Sequence, residues 1–89
     1  MSGDQARILA RIRDIPEGFV RTYGDIWPPA PRLTGRVLRT TSEEVPWWRV
    51  VRADGSLAAG DEQRARLLEE GVPFKSGRVD LRTARLPEV

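Results

Sequence analysis

The chain is 89 residues long, carries a net charge of +2 with a sequence pI of about 9.9, and contains neither cysteine nor histidine. Its 39% hydrophobic and 31% charged residues suit one small folded domain spanning residues 1–89 and argue against disorder. The missing thiols and imidazoles exclude disulfides and cysteine-ligated metal, no metal or cofactor is expected, and the lack of a membrane-length apolar run or a signal-peptide core points to the cytoplasm.

In chain order, Ser2 and Gln5 form a capping-box pattern, and Ile8, Leu9, Ile12 and Ile15 then recur at helical spacing between arginines. Pro16-Glu17-Gly18 ends that helix in a turn. Thr22 is suited to cap a short helix starting near Tyr23, which Pro28, Pro29 and Pro31 break. A second helix is predicted from Pro31 to about Thr40, because proline is tolerated in a first helical turn. After a polar connection from Thr41 to Pro46, Arg49-Val50-Val51 and Ser56-Leu57-Ala58 flank Ala53-Asp54-Gly55, which predicts a hairpin turning on Asp-Gly. Asp61 should cap a helix reaching Glu70, packed through Ala65 and Leu68, with Gly71 as its C-terminal cap. Phe74 and Arg78-Val79-Asp80-Leu81 read as short strands around Ser76-Gly77, and the last few residues should fray. The fold class predicted is mainly α with a small β-hairpin, of the winged helix-turn-helix kind that docks on DNA.

Charge is unevenly distributed. From Arg21 to Ala53 there are six arginines against Asp25, Glu43 and Glu44, a local excess of +3, while the remaining nine basic and ten acidic residues give −1. That excess suits a polyanion, although fourteen of the fifteen basic residues are arginine, a bias that coding composition alone produces. Within the helix predicted from Pro31, Arg32, Arg36 and Arg39 stand at i, i+4 and i+7 and form one stripe. Within that helix the three like charges have no carboxylate at i±3 or i±4, a poor arrangement for stability alone. Gly35 beside the stripe would let the helix backbone approach a groove closely. The competing reading is a solvated face with no partner.

Four ordered motifs carry a resemblance: Ile15-Pro16-Glu17-Gly18-Phe19-Val20-Arg21-Thr22-Tyr23-Gly24, Pro31-Arg32-Leu33-Thr34-Gly35-Arg36-Val37-Leu38-Arg39, Pro46-Trp47-Trp48-Arg49-Val50-Val51, and Leu67-Leu68-Glu69-Glu70-Gly71-Val72 followed by Arg78-Val79-Asp80-Leu81. Together they resemble the DNA-binding domain of O6-alkylguanine-DNA alkyltransferases. Trp47 stands where the enzymes carry their nucleophilic cysteine, as in the alkyltransferase-like proteins, so the resemblance implies a non-enzymatic binder of alkylated DNA. It implies a DNA-contacting set of Thr22, Tyr23, Arg32, Gly35, Arg36 and Arg39. Tyr23 would rotate the nucleotide out by crowding a phosphate, Arg32 would fill the vacancy in the base stack, and Arg39 would hold backbone phosphate. The implied alkylguanine pocket is Tyr23, Trp47, Trp48 and Val50, the last offering its carbonyl to the flipped guanine. Of the two tryptophans, Trp48 is the one expected to serve mainly the core.

Trp48 replaces the enzymes' histidine, and Glu70, aligned with the carboxylate of the same relay, is expected to be a surface residue at a helix end. Arg49 is expected to make a structural hydrogen-bonded contact. The implied partners are double-stranded DNA containing alkylated guanine and nucleotide excision repair proteins, with the chain acting as a monomer in the cytoplasm on the nucleoid. Two rival readings stay open: a winged-helix regulator that reads a sequence, and an adaptor whose two tryptophans form an exposed adhesive patch.

Overall fold

The structure, a computed structural model, describes residues 3–87. Helix α1, Gly3–Arg13, buries Ile8, Leu9 and Ile12 on one side, following the apolar spacing. Ser2, the expected cap, lies outside the described residues, as do Glu88 and Val89 of the tail expected to fray. Ile15 is buried beyond the helix end, where its amide donates to the Ile12 carbonyl at 3.1 Å and turns the chain back.

Strand β1, Arg21–Thr22, runs directly into helix α2, Tyr23–Ile26. Four residues make a weak helix, and the cap explains why it forms. The Thr22 hydroxyl accepts from the Asp25 amide at 3.1 Å, and the Asp25 carboxylate accepts from the Thr22 amide at 3.0 Å, so two orphan donors are satisfied reciprocally. Helix α3, Pro31–Thr40, has the predicted bounds, with Pro31 in its first turn. The buried Thr34 hydroxyl donates to the Tyr23 carbonyl at 3.2 Å and fixes α3 against α2.

The Asp-Gly hairpin expected at Arg49–Ala58 does not form. After a 3-10 turn at Trp47–Arg49, strand β2, Val50–Val51, pairs in parallel with β1, Arg21 beside Val50 and Thr22 beside Val51. Both valines are fully buried, and two consecutive buried positions break the in-out alternation that a one-sided hairpin arm requires. Asp54-Gly55 closes only a tight turn, with the Gly55 amide donating to the Arg52 carbonyl at 2.8 Å. Gly55 alone of the pair has a positive φ, +84°. A Cβ there would come within 2.5 Å of the Val79 carbonyl oxygen, so the position admits only glycine.

Helix α4 spans Gly60–Glu69. Its N-cap is Ala59 rather than the expected Asp61, and the Ala59 amide donates to the Gln63 side chain at 3.1 Å. The expected packing through Ala65 and Leu68 is also corrected. Both are exposed, Leu68 to 56%, and Gln63 and Leu67 face inward. The reason is polar. The Gln63 amide donates to the carbonyls of Trp48 at 3.1 Å and Val50 at 2.9 Å, so a glutamine occupies a core position that hydrophobic periodicity cannot register. At the far end Gly71 (φ +79°) closes a Schellman motif as predicted: Val72 donates to the Leu67 carbonyl and Gly71 to that of Leu68, both at 3.0 Å.

Strands β3, Phe74–Lys75, and β4, Arg78–Val79, pair antiparallel around Ser76-Gly77, which take positive φ values of 54° and 80°. This is the wing-like hairpin of the fold. A short helix α5, Leu81–Ala84, follows under an Asp80 cap and was not anticipated. Two apolar clusters result. One joins α1, Ile26, Val37, Val45 and Val50; the other joins Val20, Val51, Leu67, Val72, Val79 and Ala84. The architecture is mostly helical with short strands, in the winged helix-turn-helix manner. Among the described residues no helix is long and apolar enough to cross a membrane.

Candidate nucleic-acid interface

Arg32, Arg36 and Arg39 are exposed on α3, and among the described residues none of them makes an ion pair. Gly35 lies among them. A Cβ built there would stand 3.9 Å from Cε1 of Tyr23, so the phenol ring rests against the bare face of α3. Beside this surface opens a cleft of about 810 Å³. Tyr23, Gly35 and the three arginines line it from the helical side; Trp47, Arg52, Ala58, Ala59 and Gln63 line it from the turn before β2 and the approach to α4. Four arginines and no carboxylate appear in that lining. The field inside therefore favours an anion, and the tryptophan and tyrosine rings offer π surface.

Burial raises the Tyr23 pKa, and the positive charges of Arg52 and Arg39 offset part of that rise. The phenol is thus a neutral O–H donor at physiological pH. Trp47 is half-buried, packs on the first apolar cluster, and meets Trp48 edge-on with ring centroids 5.9 Å apart. The Arg66 guanidinium lies over both rings, 5.7 Å from the Trp47 centroid and 4.6 Å from that of Trp48. The Trp47 indole is therefore braced on one side and open to the cleft on another.

Six of the residues expected from sequence, Tyr23, Arg32, Gly35, Arg36, Arg39 and Trp47, converge on this cleft. Three do not line it. Thr22 is buried, with its hydroxyl engaged in the α2 cap. Val50 is fully buried, and its carbonyl already accepts from Gln63 at 2.9 Å. Trp48 packs on the second apolar cluster and donates its indole N–H to Glu70 Oε2 at 2.7 Å.

Glu70 is consequently no surface residue. Its side chain is 10% exposed and collects four donors: the Trp48 indole, Arg49 Nε at 2.9 Å, Arg49 Nη2 at 2.8 Å, and the Gly18 amide at 3.2 Å. Burial pushes this carboxyl up, but the hydrogen bonds of Arg49, Trp48 and Gly18 and the Arg49 charge outweigh it, and the net pKa is lowered. Arg49 also donates to the Ile15 carbonyl at 2.9 Å, which makes it the structural contact expected. An indole N–H thus takes the donor place beside this carboxylate where the resemblance sets an imidazole.

Sequence reading missed Arg52, Ala58, Ala59 and Gln63. Arg52 was within reach, since it immediately follows the Trp47–Val51 run. The others depend on how α4 approaches, which no local pattern encodes.

Comparison with known proteins follows the same lines. The family model described as 6-O-methylguanine DNA methyltransferase, DNA binding domain, matches residues 4–72. A DNA base-flipping protein of Escherichia coli (strain K12) is 43% identical over 91 residues, covering 89% of this chain and 70% of that protein. A bifunctional methyltransferase/endonuclease of Picrophilus torridus is 37% identical over 89 residues, covering 88% of this chain but 30% of that protein. Two crystal structures from S. pombe share the fold. Atl1 in complex with damaged DNA containing O6-carboxymethylguanine gives a TM-score of 0.84 at 24% identity, covering 99% of this chain and 98% of that one. ATL in complex with DNA gives 0.82 at 27% identity, covering 99% and 100%.

Proposed function

The chain belongs to the family of the 6-O-methylguanine DNA methyltransferase DNA-binding domain, and on that premise we propose that it binds duplex DNA carrying an O6-alkylated guanine, turns that nucleotide into the cleft beside Trp47, and transfers no alkyl group. The observation that carries this reading is the meeting of Tyr23, Trp47 and an unpaired arginine stripe on one open cleft. The relatives named for base flipping and the S. pombe complexes with DNA support it.

The steps follow from the residues. Helix α3 enters the minor groove, where Gly35 permits close approach and Arg36 and Arg39 meet backbone phosphates. Tyr23, a neutral donor at the cleft mouth, crowds the phosphate of the lesion and favours its rotation. Extracting a base costs a few kcal/mol of stacking and pairing, and less where alkylation has already weakened the pair. Arg32 fills the vacancy with a planar, permanently charged group that stacks as lysine cannot. The everted base is held on the indole of Trp47, and stacking of this kind is worth roughly 1–3 kcal/mol.

Chemistry stops at that point. An alkyl acceptor in this family is a thiolate, the sequence has no cysteine, and an indole carbon is not a nucleophile. With nothing to remove the alkyl group, the output is the persistent complex, which marks the lesion for nucleotide excision repair.

The test is a titration of O6-methylguanine and matched undamaged duplexes, with mass spectrometry of the protein afterwards. Tighter binding of the lesion with no mass gain supports the reading. A methyl added to the protein, or a preference for one undamaged sequence that ignores the lesion, overturns it, the second in favour of a sequence-reading regulator.

A further inference from the structure

Three of the four cleft arginines belong to α3, where Arg36 and Arg39 would meet backbone phosphates and Arg32 would enter the base stack. The fourth does not. Arg52 leaves the chain directly after β2 and lines the cleft together with Trp47, Ala58 and Ala59. Among the described residues it has no carboxylate partner. The nearest acid in sequence, Asp54, accepts from the Ser56 amide at 2.9 Å and the Ser56 hydroxyl at 2.6 Å, and its ion pair is with Arg78 at 3.9 Å. The guanidinium of Arg52 keeps one contact, a 3.5 Å bond to the Leu57 carbonyl at the long limit of hydrogen bonding. Ala58 and Ala59, which line the same cleft, carry no polar side chain, and no acid lines the cleft to neutralise Arg52.

We propose that Arg52 determines specificity: it favours O6-adducts whose far end carries a negative charge, such as a carboxymethyl group, over uncharged alkyl groups. The inference rests on the function proposed above, in which the alkylated base enters this cleft. The physical ground is that a guanidinium and a carboxylate form short, charge-assisted and often bidentate hydrogen bonds, which a methyl or ethyl group cannot accept. The charge of Arg52 also reaches the Tyr23 hydroxyl inside the same cleft, so it acts on the space the lesion would occupy. The same guanidinium chemistry would also serve a phosphate of the flipped nucleotide, and the experiment separates the two sources.

Duplexes containing O6-carboxymethylguanine, O6-methylguanine or guanine at one position are titrated against the wild-type protein, Arg52→Ala and Arg52→Lys. Wild type binds the carboxymethyl duplex about tenfold more tightly than the methyl duplex, the scale of one charge-assisted hydrogen bond. Arg52→Ala brings the two lesions to within about twofold while leaving methyl over guanine intact, and Arg52→Lys keeps part of the preference, since its charge remains but its fork does not. Equal weakening of all three duplexes by Arg52→Ala identifies a phosphate contact and overturns the proposal. So does a wild type that holds methyl over guanine but gains nothing from the carboxylate. If neither lesion is preferred to guanine, the function proposed above fails along with it.

Discussion

Arginine does two opposite jobs in this molecule. At Arg49 it is largely buried, 14% exposed, and held by three hydrogen bonds to Glu70, one to the Ile15 carbonyl, and a cation–π contact over the Trp48 ring. On α3 three arginines stand in the open and, among the described residues, make no ion pair. The first arrangement ties α1, the turn before β2 and the end of α4 into one body. The second contributes self-repulsion to the free protein and gains only when a polyanion arrives. Stability and recognition are thereby assigned to different copies of one side chain, and the two regions should respond to substitution in opposite ways.

The largest effect is expected at the hub. Glu70→Ala leaves a buried guanidinium without its counter-charge and should cost about 3–5 kcal/mol of unfolding free energy, as seen when one partner of a buried pair is removed. Urea denaturation measures it, and a loss below about 1 kcal/mol would mean that solvent already weakens the pair. The reverse pattern is expected on α3. Replacing Arg32, Arg36 and Arg39 together with alanine should lower affinity for lesion DNA by about a hundredfold or more at moderate salt while leaving the urea midpoint unchanged or slightly raised. A triple variant that unfolds instead would show the stripe to be structural.

Trp47→Ala falls between the regions, since the ring both packs on the core and faces the cleft. It should lose roughly 1–3 kcal/mol of lesion binding, the value of one stacked base, with a smaller loss of binding to undamaged DNA. Equal losses on both duplexes would remove the ring from lesion recognition. Thr22→Ala should cost about 1 kcal/mol of stability through the lost cap of α2, with little direct change in DNA affinity.

The smallest effects come from pH and salt. The folded Glu70 carboxyl titrates below its ordinary value of 4.5, so its stabilisation is fully present above that pH and is lost as pH falls through the lowered folded value. Glu70→Gln should flatten this acid limb of the stability profile. For binding, a log–log salt slope of about −2 to −4 is expected from the few phosphates that α3 can neutralise. A slope near zero would contradict the role given to the stripe.

Much of this was legible in the sequence because it is encoded locally. The apolar spacing of Ile8, Leu9 and Ile12, the proline at the start of α3, Gly71 after α4 and the Ser76-Gly77 turn each act through neighbouring residues, and each sits as predicted. The arginine stripe followed from angular arithmetic alone. The misreadings share a different cause. Val50-Val51 looks like a hairpin arm until Arg21-Thr22, distant in sequence, pairs with it from the other side. Ala65 and Leu68 look like the inner face of α4 until two carbonyls need the amide of Gln63 and turn that residue inward. Glu70 looks like a surface residue at a helix end until Trp48, Arg49 and Gly18 converge on it. Each is a polar or backbone requirement set by tertiary contacts, which apolar periodicity does not record.

The central claim is that the cleft beside Trp47 receives an everted base while an α3 arginine holds its place in the duplex. A crystal structure of the protein with a duplex containing O6-methylguanine tests it most directly. The account predicts the alkylated base outside the helix and in contact with the Trp47 indole, the Arg32 side chain within the base stack, and α3 in the minor groove. A lesion that remains stacked and paired, with α3 in the major groove and the cleft holding no base, would contradict it.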